Sequence, residues 1–375
     1  MEDIVYSVIT AFTSGGSLVF GLCFLFLYIP ESTFLGGYRI ARKTAAAAYL
    51  GLSSLYLIEI FFDNHDIGHP LSQSIKLTVG SVQALFFTYT FISLINTRFV
   101  TEKKVWRELL PILFFIVIMV VSYVLGSNSL IFKINYYLFV VYYVVRLIRY
   151  LVLFLKEYRA CFGRADNYYS GEENLRFRWI YYSFFGMFAI GVMLLLLLFF
   201  PGNKFIYYLF ILSFMPFYSY FGVGFINYAY RYKIIEPLAS GDSQREILTG
   251  NKNDKRKQSE IIGEALNRWV LQERFLQQGL TIEDLSSELN TNRTYLSAYI
   301  NQVKKQSFRS WINHLKIGKA QKLLLDHPEM LVVEVACLAG YTDSSNFNKQ
   351  FVKITGSSAQ NWRNRQLAQN PIKAK

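Results

Sequence analysis

Seven apolar runs of about 20 residues occupy the first 230 positions, at 8–29, 44–62, 77–95, 109–125, 134–155, 180–200 and 205–228. A run of that length matches the hydrocarbon thickness of a bilayer when helical, so the pattern predicts seven spans. After Tyr232 the pattern changes to that of a soluble domain, with apolar residues three and four apart between polar ones. Two copies of one short motif follow. The first places Ile282, Leu285, Ser286, Leu289 and Asn290 before Leu296 and Ile300. The second places Val332, Val335, Ala336, Ala339 and Gly340 before Phe347 and Phe351. The offset is 50 residues through the turn and 51 after it, so the second copy has one extra turn residue. Each copy is what a helix-turn-helix requires: an apolar stripe, a turn residue that tolerates positive φ, and a second helix.

In the first unit Thr281 precedes Glu283 and Asp284, which predicts an N-cap with acids in the first turn of a helix over 282–289. Asn290, Thr291 and Asn292 form the turn before a second helix over 293–302. Leu296 and Ile300 face inward there, and Arg293, Thr294, Ser297 and Ala298 face outward. In the second unit Asp343 caps a helix over 344–353, with Phe347 and Phe351 inward and Ser344, Ser345, Asn348 and Lys349 outward. Short polar and basic side chains near the start of a recognition helix read base edges in the major groove: lysine suits guanine, asparagine adenine. Lys304, Lys305 and Lys353 suit phosphates. Residues 308–325 are patterned as one connecting helix, about 27 Å long at 1.5 Å per residue.

Charge then orients the chain. Arg39, Arg42 and Lys43 lie in the first connection between spans. Arg98, Lys103, Lys104 and Arg107 lie in the third, and Lys156, Arg159, Arg164, Arg176 and Arg178 in the fifth. The even connections hold one basic residue each, Lys76, Lys133 and Lys204. The positive-inside rule puts the N-terminus outside and the C-terminal part in the cytoplasm. Glu2 and Asp3 argue against a cleaved signal peptide. The formal net charge is +13, which suits lipid headgroups in the first half and nucleic acid in the second. Cys23, Cys161 and Cys337 show neither a paired framework nor CxxC spacing, so no disulfide and no metal site is expected. The domains read as 1–232, a seven-span membrane domain; 233–258, a polar linker with the basic run Lys252, Lys255, Arg256 and Lys257; and 259–375, a DNA-binding domain with its core at 281–365. A helix begins near Ser259, and its stripe of Ile261, Ile262, Ala265, Leu266, Trp269 and Val270 is either a dimer seam or a cover for the first unit.

Ionisable residues at membrane depth are costly and mark sites of interest. Arg146 lies mid-span in the fifth run; it either contacts a signal inside the bundle or bonds a neighbouring helix. Glu59 is read as the acid well within a span, but a depth offset of roughly 13 Å argues against its pairing with Arg146. The outer loop with Asp63, His65, Asp66 and His69 has residue types that bind metals or sense protons, but it lacks a fixed ligand spacing and is read as solvated polar chain. The tyrosines 136, 137, 142, 143 and 150 are read as packing and interfacial residues. No nucleotide-binding glycine loop, zinc-hydrolase spacing or hydrolase elbow is present, and the four histidines do not compose a nucleophilic triad. No catalysis and no cofactor are expected.

The segment 281–365 resembles the AraC/XylS-type DNA-binding domain, through Val335-Ala336, Gly340-Tyr341, Phe347, Phe351, Gly356 and Trp362-Arg363 in order. It departs from that pattern at Ser286, Gln306, Lys316 and Ser358-Ala359. The stretch 269–311 is also similar to membrane-integrated AraC-type regulators of Bacteroidetes-like bacteria. The resemblance implies an all-α chain: a seven-helix transmembrane bundle followed by a cytoplasmic AraC-type double helix-turn-helix domain. It also implies a one-component regulator of transcription in a bacterial inner membrane, gated by a signal at the bundle. Its expected partners are promoter double-stranded DNA, the lipid bilayer, a second copy of the chain and an unknown signal ligand. Bases would be met by the outward positions already named. The competing expectation is a transporter, receptor or chromosome tether whose DNA-binding tail only anchors.

Overall fold

The computed structural model describes residues 2–29, 35–61, 69–126, 129–171, 177–200, 203–239 and 252–369. Among them every regular element is a helix, and the one β-type pairing is an isolated antiparallel bridge between Tyr169 and Thr281. Contacts divide the chain into two compact units. The first is Met1–Cys161 with Arg178–Gly241, and the second is Phe162–Phe177 with Asp242–Lys375.

The first unit holds α1 (Glu2–Phe26), α2 (Gly36–Phe61), α3 (Pro70–Ile95), α4 (Glu102–Leu125), most of α5 (Leu130–Asp166), α6 (Arg178–Phe199) and α7 (Lys204–Ala239). Each of the seven apolar runs falls on one of these helices. Among the described residues five helices are long and apolar enough to cross a membrane: α3, α4, α5, α6 and the stretch Phe205–Ala229 of α7. Ala11–Phe26 of α1 is a shorter apolar stretch. The faces sort by partner. Nearly every residue of α3 from Gly80 to Ile95 is buried, so this helix is packed on all sides. By contrast α4 leaves Leu110, Phe114, Val117, Val121 and Val124 more than half exposed, an unbroken apolar stripe at helical spacing. Inside the bundle, Phe24, Tyr49, Phe87, Tyr218, Phe221 and Phe225 interleave at centroid distances near 5–6 Å. Hydroxyls tie helix to helix: Tyr38 Oη donates to the Phe225 carbonyl at 2.8 Å, Tyr49 Oη to the Tyr218 carbonyl at 2.6 Å, and Thr44 bonds Thr90 at 2.9 Å.

The second unit adds α8 (Lys252–Leu271), a 3-10 turn (Arg274–Leu276), α9 (Ile282–Glu288), α10 (Arg293–Val303), α11 (Phe308–Asp326), α12 (Val332–Leu338), α13 (Ser344–Thr355) and α14 (Ala359–Gln369). Residues 233–239 and 252–258, expected in a polar linker, are instead the end of α7 and the first turns of α8. Lys, Asp, Arg and Gln do not prevent a helix; they only leave it without an apolar stripe to read. The stripe of α8 covers the first helix-turn-helix. Ile262, Leu266 and Trp269 are buried, the indole ring stacks 6.0 Å from Trp311, and its Nε1 donates to Glu288 at 2.7 Å. Around α11 a second core gathers Ile317, Ala320, Leu324, Val335, Ala336, Phe347 and Phe351, all essentially inaccessible. Each such phenylalanine stabilises the fold by about 1.5–3 kcal/mol through apolar burial.

Candidate nucleic-acid interface

The second helix-turn-helix is built from its turn outward. Gly340 has φ of 79°, and a Cβ there would collide with the Leu276 carbonyl, so only glycine fits this close approach. The buried Lys316 donates to the Gly340 carbonyl at 2.9 Å and to the Gln277 carbonyl at 3.3 Å, holding the turn against the preceding segment. Tyr341 Oη donates to Asn313 at 2.9 Å, and burial raises its pKa well above the usual tyrosine value. Asp343 then caps α13, accepting from the Ser345 and Asn346 amides at 2.9 and 3.2 Å. With Phe347 and Phe351 fixed in the core, Ser344, Ser345, Asn348, Lys349 and Lys353 stand exposed along the opposite side of α13. The closing motif braces this unit: Arg363 donates to the Met330 carbonyl at 2.6 Å, and Trp362 meets Phe351 edge-on at 5.9 Å. Ser358 Oγ accepts from the Asn361 amide at 3.3 Å, so the departure from the family pattern at Ser358 retains a helix cap.

The first unit follows the same plan with a different outer face. Thr281 and Asp284 form a reciprocal capping box, Asn290 adopts φ of 48° in the turn, and Asn292 caps α10 by accepting from the Thr294 amide at 2.7 Å. Leu296 and Ile300 are buried, as Phe347 and Phe351 are 51 positions later. Applying that offset to the outer face reveals an asymmetry. Ser344 and Ser345 are exposed, whereas their counterparts Arg293 and Thr294 are half-buried and buried, Thr294 with only 7% exposure. Thr294 is therefore not an outward residue in this structure. Ser297 and Ala298 are also only partly exposed, whereas Asn348 and Lys349 are exposed.

The segment that follows α5 lies against this face. Ser170 donates through its backbone to the Leu280 carbonyl at 3.1 Å and through Oγ to the same oxygen at 2.6 Å, while the Ile282 amide donates to the Tyr168 carbonyl at 2.9 Å. These bonds make the Tyr169–Thr281 bridge, immediately ahead of α9. Tyr168 Oη donates to Glu283, and its ring lies 5.4 Å from the Arg293 guanidinium. Arg309 of α11 pairs with Asp166 at 3.4 Å. Burial, followed by the Glu283 carboxylate, drives the Tyr168 pKa far above the ordinary tyrosine value, so its hydroxyl stays a donor. The sequence did not single out 166–170, because a backbone-paired loop carries no periodicity.

In the first unit of the structure, Arg146 has its partner on α4. It donates to the Glu108 carboxylate and to Tyr150, and also to the Glu108 carbonyl at 3.2 Å; Arg149 reaches the same carboxylate at 2.5 Å. Glu108 is 3% exposed. The predicted fourth span began one residue after Glu108, which hid it; α4 starts at Glu102. Glu59 is on α2, with its side chain outside the described residues, as are Asp63, His65 and Asp66. His69 caps α3, its Nδ1 accepting from the Leu71 amide at 3.3 Å.

Comparison with known proteins places these features. Residues 285–365 match a family model described as a helix-turn-helix domain. The chain is similar to the Melibiose operon regulatory protein of Escherichia coli strain K12, 29% identical over 86 residues, or 23% of this chain and 28% of that one. It is also similar to the Msm operon regulatory protein of Streptococcus mutans, 27% identical over 84 residues, or 22% of this chain and 30% of that one. The match thus spans under a third of the length of these relatives. No solved structure matches. With both units, the linking helix and the closing Trp-Arg motif in order, residues 285–365 are an AraC-type helix-turn-helix domain.

Proposed function

We propose that this protein is a membrane-resident, one-component transcriptional regulator without enzymatic activity, which binds promoter DNA through α10 and α13. The observation that carries the reading is the exposed row Ser344, Ser345, Asn348 and Lys349, set by a buried core on a helix-turn-helix whose relatives are named as operon regulators. Such a row suits the major groove, with Lys353 at the phosphates. Membrane residence is supported by the five long apolar helices and by the stripe of α4, which in water would be an unpartnered apolar face. The basic connections favour the N-terminus outside and the DNA-binding domain in the cytoplasm. Gating is supported by the pairing of 166–170 with the first helix-turn-helix: this segment joins α5 to α6, and it engages Arg293, a residue of the first recognition helix. A signal at the bundle would act by loosening or tightening that hold. A second copy of the chain is part of the reading, since paired half-sites are the usual target of such domains.

Chromosomal crosslinking of the full-length protein beside an Asn348→Ala/Lys349→Ala variant tests this. Discrete promoter peaks lost in the variant are expected. Peaks indifferent to both substitutions, from protein present at equal level, would remove α13 from base reading.

A further inference from the structure

Two clefts in the first unit share a wall. The larger, between α2, α3, α6 and α7, spans about 460 Å³ and the smaller about 300 Å³, both counted with the space where they open outward; Gly80, Gln83, Leu194 and Phe210 line both. The walls are largely apolar. Gln83, only 8% exposed, has its side-chain Nε2 buried without a hydrogen-bond partner among the described residues. An unpaired amide donor in an apolar wall is unfavourable, and an acceptor brought into the cleft relieves it. Two turns earlier on the same face of α3, Lys76 lines the larger cleft; its Nζ donates to Ser72 at 2.6 Å and lies 5.7 Å from the Tyr207 ring. Seven helical residues set the two side chains about 10 Å apart along α3.

The geometry points to a binding site for a single-chain amphiphilic acid bearing a second oxygen. Its carboxylate meets the Lys76 ammonium, its chain fills the cleft, and a hydroxyl or carbonyl oxygen about 10 Å away accepts from Gln83 Nε2. Little of that space is closed off, so the cleft suits one slender chain. The site also reaches the helix that leads to the DNA-binding unit. Tyr143 and Leu147 of α5 line the smaller cleft, Tyr143 Oη donating to the Gly191 carbonyl at 3.2 Å, and α5 runs on to Asp166. That the occupant is a signal rests on the regulator reading above; that the cleft binds it does not.

Full-length protein in phosphatidylcholine nanodiscs, with empty discs subtracted, is titrated with 10-hydroxydecanoate, decanoate and 1,10-decanediol. Wild-type protein is expected to bind the hydroxy acid saturably and about fivefold more tightly than decanoate, the worth of one hydrogen bond. Gln83→Leu, apolar and of similar size, should erase that preference while still binding decanoate. Lys76→Met should erase the preference for the hydroxy acid over the diol. Equal unfolding temperatures show that neither variant acts through misfolding. No saturable binding, or preferences unchanged in both variants, overturns the site even if promoter binding is intact. Displacement of the probe by phosphatidylglycerol added to the discs overturns the free acid in favour of a bilayer lipid. Saturable binding with both preferences, in a protein lacking promoter peaks, would retain the site and sink only the regulator reading.

Discussion

Gly340 and Lys349 sit nine residues apart and show two ways a single side chain matters here. At Gly340 a φ of 79° and the closeness of the Leu276 carbonyl leave no room for a Cβ. Gly340→Ala should therefore cost more than about 1 kcal/mol of stability, read as a lowered temperature of tryptophan-monitored unfolding of the full-length protein. An unchanged transition would mean that the turn relaxes away from Leu276. Lys349 is exposed, so Lys349→Ala should leave that transition unmoved and weaken binding to the cognate site by about 1–3 kcal/mol, with a smaller loss on unrelated DNA. A gel-shift or anisotropy titration on both DNAs separates base reading from a phosphate contact, which would weaken both alike. Both positions were legible in the sequence, because a turn glycine and a polar residue between core phenylalanines have fixed local consequences. The burial of Thr294 was not. Its helical phase points it away from Leu296, and local periodicity does not register what the rest of the fold lays over that side.

Elements were legible where apolar periodicity defines them and uncertain where it stops. The seven apolar runs fall on seven helices, and the two helix-turn-helix units lie within two residues of their expected bounds. The polar start of α4 went unread for the opposite reason: charged residues there resembled a loop, though Thr101 caps a helix that begins at Glu102. That misplacement concealed Glu108, the partner of Arg146, and left Glu59 as the acid to weigh. The pairing makes a prediction about α4 and α5 as a packed pair. Glu108→Ala strands a buried guanidinium and should cost about 3–5 kcal/mol, whereas Glu108→Leu with Arg146→Met removes both charges and should cost far less. Comparing the folded yield of each variant in detergent by size-exclusion chromatography checks this. A double variant as poor as the single one would show that the ion pair supplies more than mutual neutralisation.

At the scale of the whole molecule, the connection between two bundle helices lies against the face that the second helix-turn-helix leaves open. Tyr168, Ser170 and Asp166 hold Glu283, Leu280 and Arg309, and the Tyr168 ring covers the Arg293 guanidinium. If Arg293 reads bases as proposed, it cannot also lie under that ring, and DNA would then compete with the loop for α10. Each contact that holds the loop there lowers the population of the competent state by about the factor one hydrogen bond is worth, and with it the apparent affinity. Tyr168→Ala should therefore tighten promoter binding of the full-length protein by roughly fivefold. Tyr168→Phe, which keeps the ring but not the bond to Glu283, should give a smaller gain. The two recognition helices are unchanged, so the footprint on DNA should keep its sequence and lengthen only over the half-site read by α10. A fragment of residues 242–375 lacks the whole loop, including the Ser170 and Asp166 contacts that Tyr168→Ala keeps: its affinity should equal or exceed that of the Tyr168→Ala protein and fall when the peptide 162–177 is added. If Tyr168→Ala instead weakens binding, the loop is a brace that holds α10 in its reading position, and the signal must work by strengthening the contact. Quantitative footprinting of the four proteins on one promoter decides between the two signs.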